Sequence, residues 1–237
     1  MRKEFRYLTR NGFAYITLLM PPLLILIFSM NFSGRHPNVG GRGVSTEMFF
    51  PGMMAYLILI LMAPAYNCFA YEGRGIQAYF TAPLRFREVF LAKNLMLVAV
   101  LSVEIMLSLA VLAWRVGLPS AHMLVATCAA IIFTIIGQLT IANWSSLKFP
   151  RKMEFGQMRG QRQSGMAVLV AFGSQILMGG ISAVILFTGI WTGNLWLPAE
   201  AFVFLAAAAV GGYFASLDAL TRLAEEKKEV LIETLTR

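Results

Sequence analysis

Six stretches of this chain, at about 13–32, 50–71, 94–114, 120–143, 165–188 and 197–217, stay apolar for roughly the 20 residues that a helix needs to cross a hydrocarbon core. Inside lipid each backbone polar group must be satisfied within its own segment, so runs of this length and number predict an all-α, polytopic membrane protein with six transmembrane helices. Composition points the same way. Of 237 residues 58% are apolar and 14% charged, with a mean hydropathy of +0.68, far from the balance of a soluble domain. The net charge of +8 taken alone would suit a nucleic-acid partner. The basic residues, however, fill the gaps between apolar runs, and no nucleic acid is expected.

Six spans put both termini on one side, and the charges say which. Arg2, Lys3, Arg6 and Arg10, then Arg74, Arg85, Arg87 and Lys93, then Lys148, Arg151, Lys152, Arg159 and Arg162, and finally Arg222, Lys227, Lys228 and Arg237 make 17 on one side against Arg35, Arg42 and Arg115, 3 in all, on the other. By the positive-inside rule the termini and the loops 72–93 and 144–164 are cytoplasmic, as in a multi-pass protein of a bacterial inner (plasma) membrane. No small-residue cleavage site follows the first run before Asn31-Phe32, so it reads as a retained span rather than a secretory signal. Cys68 and Cys128 fall near opposite ends of their spans, roughly 15 Å apart in depth at the helical rise, beyond disulfide reach.

Along the chain, residues 2–11 read either as a short headgroup helix, with Phe5 and Leu8 on one face, or as a plain basic flank. Pro21-Pro22 predicts a kink in span one. The Gly-rich stretch 33–48 is an external loop whose His36 has no metal-ligating neighbours, and no metal site is expected. In span two Pro64 precedes Asn67 by three residues, which reads as a hinge or cavity wall, or as a hydrogen bond between helices. Glu104, at the middle of span three, must be protonated, paired or wetted. It fits ion coupling, or a neutral carboxyl bonded to Gln138 or Gln175. With Asn143, these make Asn67, Glu104, Gln138, Asn143 and Gln175 the intramembrane pathway candidates. Gly179-Gly180 raises a break in span five, with a continuous helix favoured. Small residues at Ala207, Gly211 and Ala215, beside Ala208, Gly212 and Ser216, permit close helix contact. The domain division is a six-helix transmembrane domain of 1–217 and a cytoplasmic amphipathic helix of 218–237, with Leu220, Leu223, Val230 and Leu231 on one stripe.

The chemistry that is missing narrows the function. There is no G-x-x-x-x-G-K-[ST] phosphate loop, no H-E-x-x-H, no C-x-x-C and no G-x-S-x-G, and neither His36 nor His122 sits in a plausible triad. No catalytic residue is assigned, and the chain is not expected to be an enzyme. One stretch stands apart, Tyr71 to Lys93, a polar and amphipathic interruption between two spans.

In that stretch Glu72 precedes Gly75, an apolar helix follows with Ile76, Tyr79 and Phe80, then Pro83, then Lys93 entering the next span. With six spans and cytoplasmic termini, this resembles the permease subunits of type 2 ATP-binding-cassette (ABC) exporters. Two departures are visible: the loop between spans five and six is short, and one six-span set calls for a second permease copy or a homologous half. The resemblance implies an exporter permease, working as a dimer, with a short cytoplasmic coupling helix between spans two and three. A separate ABC ATPase subunit would hold the ATP and Mg, while this chain binds no cofactor. The helix Gly75 to Ala82 would enter a groove of that subunit with Ile76, Tyr79 and Phe80 as apolar anchors, Arg85 and Arg87 at the rim, and Glu72 paired to a basic loop residue. Two other functions compete, an ion-coupled carrier using Glu104 and a non-transporting membrane scaffold that recruits a soluble partner.

Overall fold

The computed structural model describes residues 19–27, 49–70, 72, 75–82, 85–151 and 164–236, and every regular element among them is helical. The expected headgroup helix at 2–11, the loop with His36, Arg74, Pro83 and most of the second basic loop lie outside the described residues. The elements are α1 (19–27), α2 (Phe49–Leu61), a 3-10 turn (Ala63–Asn67), α3 (Ile76–Thr81), α4 (Phe86–Val116), α5 (Ala121–Lys148), α6 (Gly165–Thr192), α7 (Leu197–Glu226) and α8 (Lys228–Thr236).

Four of these, α4 to α7, are long and apolar enough to cross a membrane, and the chain is a membrane-embedded, multi-pass protein. Their 28 to 31 residues amount to roughly 42–46 Å of helix, against a hydrocarbon core of about 30 Å. Each therefore projects beyond the lipid, which is why α4 begins at Phe86, ahead of the apolar run at 94. The second apolar run behaves differently. Its helix stops at Leu61 and tightens into a 3-10 turn that carries Pro64 in its first positions. Proline offers no N–H and disfavours the helical region for the residue before it. Successive turns then lead the backbone out, Ala70 N–H to Asn67 O, Glu72 N–H to Phe69 O and Gly75 N–H to Glu72 O.

The tight connections lie at the opposite end of the bundle. Between α4 and α5 the chain reverses at Gly117, at φ 94°. Between α6 and α7 it reverses at Gly193, at φ 70°, a left-handed helix end that glycine adopts without strain. Asn194 Oδ1 then accepts the N–H of Trp196 at 3.1 Å, and Pro198 opens α7.

The broadest helix contact joins α5 to α7. On the connection side Ala126, Ala129 and Phe133 meet Ala199, Phe202 and Ala206. Toward the other end a second apolar cluster takes in Phe69, Phe86, Phe90, Leu217, Leu220 and Ala224. The α7 face that packs is thus Phe202, Ala206, Tyr213, Leu217, Leu220 and Ala224. The small residues Ala207, Ala208, Gly211, Gly212 and Ala215 are exposed, so the expected close contact is not made among the described residues. α6 is unbroken at Gly179-Gly180 and turns Leu169, Phe172, Ile176 and Phe187 outward, as suits a lipid-facing helix.

Candidate functional site

The stretch singled out in the sequence folds at the bundle end where α4 begins and α5 and α7 finish. Glu72 is its keystone. Its Oε1 accepts hydrogen bonds from Lys93 Nζ at 2.5 Å and Tyr79 Oη at 3.0 Å, and the side chains of the ion pair are only 10% (Lys93) and 6% (Glu72) exposed. Lys93 Nζ also lies 5.5 Å from the centre of the Phe69 ring. Glu72 from the turns after α2, Tyr79 from α3 and Lys93 from α4 are thereby fastened at one point. Removing one partner of a buried pair strands the other charge, at a cost of about 3–5 kcal/mol.

α3 is two turns long and shows two different faces. Ile76 is fully buried, Phe80 stacks on Phe86 at 4.6 Å, and Tyr79 meets the edge of Phe86 at 6.5 Å. These three side chains pack toward their own protein, Ile76 fully and Tyr79 and Phe80 in part. The exposed residues of α3 are Gln77, Ala78 and Thr81. Gly75 precedes the helix, and Arg85 and Arg87 are exposed beside it. Arg87 makes an ion pair with Asp218 at 3.5 Å, with side chains 46% and 70% exposed, worth about 1 kcal/mol or less in water.

The inward face of α3 is covered by α8, which sequence reasoning did not place. Leu231 and Leu235 are fully buried in the cluster that holds Ile76, and Phe80 packs against it. Lys228 Nζ lies 5.6 Å over the Phe80 ring. Burying each leucine stabilises this seat by about 1.5–3 kcal/mol. The amphipathic stripe was legible, but its register was not. A break at Lys227 separates α7 from α8 and rotates the pattern, leaving Val230 exposed and seating Leu235 in its stead.

The polar candidates deeper in the bundle do not converge. Asn67 donates to Arg151 O at 2.8 Å and accepts the Arg151 N–H at 3.4 Å, clasping the backbone of one residue of the second loop. Gln138 and Gln175 bond to each other, and Gln175 reaches Ala55 O at 3.5 Å, so neither serves Glu104. Glu104 is 2% exposed and its Oε2 has no hydrogen-bond partner among the described residues; the same holds for Ser108 Oγ one turn on and for both amide atoms of Asn143. Two hydrogen bonds went unforeseen, Tyr66 with Ser174 and Asn94 Nδ2 to Tyr213 Oη at 2.8 Å. Asn94, one residue after Lys93, was the visible signal for the second of them.

A side groove of about 440 Å³ opens between α5 and α7, lined by Thr140, Ile141, Trp144, Ser216, Ala219, Leu220 and Leu223. None of the five pathway candidates lines it. Both cysteines are free, and no group of three His, Cys, Asp or Glu gathers among the described residues. Comparisons with protein-family models, curated proteins and solved structures give no match.

Proposed function

We propose that this chain is the transmembrane permease of a type 2 ABC exporter, with six spans, cytoplasmic termini and a dimeric pathway driven by a separate ATPase subunit. α1 and α2 belong to the first two spans in this reading, and α3 is the coupling helix. The observation that carries it is the Glu72 clasp. A six-residue helix at the edge of the bundle is fixed by Tyr79 to Glu72 and through Glu72 to Lys93. Displacing α3 then displaces the turn after span two and the start of α4 together, as a lever for a soluble motor requires. ATP and Mg sit in the partner, and this chain contributes position rather than chemistry.

The docking face of α3 is Gln77, Ala78 and Thr81. Gln77→Arg with Thr81→Arg is expected to release a co-expressed ATPase subunit and abolish ATP-driven export while the protein stays folded and in the membrane. Undiminished co-purification and export in that variant would remove α3 as the coupling element. Glu72→Gln is expected to leave the partner bound but to lower export per ATP hydrolysed.

A second reading rests on Glu104. A carboxyl at 2% exposure, with one oxygen unpartnered among the described residues, suits an ion-coupled carrier that works alone. Such a carrier would transport in proteoliposomes without any ATPase and lose this with Glu104→Gln. The exporter reading expects no transport from the lone chain in either form.

A further inference from the structure

We infer that the side groove between α5 and α7 binds an anionic glycerophospholipid of the surrounding bilayer, with an acyl chain lying in the groove and the phosphate meeting Lys148; this is independent of the exporter reading. The groove, about 440 Å³ in volume, lies between two helices long and apolar enough to cross a membrane. It stands where their apolar runs finish, at about 143 and 217, so one part of it borders hydrocarbon and the rest stands among headgroups. Its lining is apolar apart from two hydroxyls, and both donate within their own helix, Thr140 to Ile136 O at 3.1 Å and Ser216 to Tyr213 O at 2.7 Å. The walls therefore offer Ile141, Trp144, Leu220 and Leu223 and no unspent donor, as an acyl chain requires.

Charge at the rim selects the headgroup. On α5 the row of Thr140 and Trp144 continues one turn on to Lys148, which is exposed and holds its Nζ 4.3 Å from the centre of the Trp144 ring. α5 carries no carboxylate along its whole length, and Lys148 has no acidic partner among the described residues. The charges at the end of α7 cancel: Arg222 stands one turn from Glu226, Glu225 is offset by Lys227, and Asp218 is paired with Arg87. Lys148 is thus the unopposed charge at the groove, fixed over the one aromatic ring that lines it. Basic pockets between membrane helices take anionic headgroups in this way, and a tryptophan beside them suits the headgroup level.

The test uses the full chain with Trp114, Trp191 and Trp196, all exposed at the opposite end, changed to Phe, so that Trp144 alone reports. This protein is reconstituted in phosphatidylcholine vesicles with rising fractions of brominated phosphatidylglycerol or brominated phosphatidylcholine, and quenching of Trp144 is followed. The expected result is quenching by the brominated phosphatidylglycerol at a several-fold lower fraction. Lys148→Gln should remove about fivefold of that preference, the share of one lysine at an anionic surface. Ala219→Phe, at an exposed position of the lining, should fill the groove and lower quenching by both lipids, with helicity matched to the parent. Equal quenching by the two lipids, or a preference untouched by Lys148→Gln, overturns the headgroup assignment. A preference that survives Ala219→Phe assigns Lys148 to ordinary surface attraction and overturns the groove. Shielding of Trp144 from both lipids in the parent puts a protein on the groove, a second copy of this chain included, and overturns the inference as well.

Discussion

A methyl group added to Gly189 would lie 2.4 Å from Cγ of Pro198, and a proline ring cannot swing aside. Gly189→Ala is therefore expected to cost about 1–3 kcal/mol through overpacking, read as a lower unfolding temperature in detergent. Gly137→Ala tests the contrast. There the nearest atom is the terminal Cε of Met178 at 2.9 Å, the free end of a flexible side chain, and the loss should be smaller. In the sequence the eye goes to Gly179-Gly180, yet both of those face open space. What makes Gly189 matter is the hairpin that brings Pro198 against it, a long-range fact that no local pattern carries. At Glu72 the chemistry was legible, because a carboxylate 21 residues before a lysine at a span entrance must find a cation or water. Lys93→Met should lower stability by about 3–5 kcal/mol, and adding Glu72→Gln should recover much of that, since the stranded charge is then gone. Thermal unfolding of the single and double variants checks the sign.

Among the elements, the long apolar helices were the easiest to read, since lipid enforces both their length and their hydropathy. Their ends were not, because α4 and α7 continue beyond the hydrocarbon on packing alone. The short helix α3 was visible as an amphipathic interruption, but the helix packed against it was not. Ile76, Tyr79 and Phe80 form an apolar stripe in either case, and only the position of α8 shows that the stripe is already occupied. Deleting 228–237 should therefore expose Ile76 and Phe80. Hydrogen exchange at residues 76–82 is expected to quicken in that variant, with exchange in α5 unchanged; unchanged protection at 76–82 would show that α8 does not hold α3. The break after α2 is the other element-scale lesson. Pro64 announced a weakness, and the structure resolves it as a tightened turn whose last residue, Asn67, grips the backbone of Arg151. Asn67→Ala should free that loop and speed its proteolysis near Arg151.

For the molecule as a whole, two ends can be told apart. One carries the turns at Gly117 and Gly193 with Trp114, Trp191 and Trp196 exposed nearby. The other carries α3, α8 and Trp144, whose ring lies 4.3 Å from Lys148 Nζ, an arrangement that suits a membrane interface. Single cysteines at Leu118 and Ala78, in a chain lacking Cys68 and Cys128, are expected to react with an impermeant maleimide from opposite sides of sealed vesicles, and labelling from one side would undo the topology. The Glu72 clasp and the seat of α8 also belong to different moments of synthesis. Glu72, Tyr79 and Lys93 emerge close together, so their contact is available early, whereas Leu231 and Leu235 arrive only after α5, α6 and α7 have been made. Until then α3 has an uncovered apolar side, the feature that chaperones and proteases recognise. A ribosome-bound chain stalled before α8 emerges should accordingly be cut within 76–82, and one stalled after it should be spared. Covering α3 is thus a late act of folding, made only once α8 can reach it.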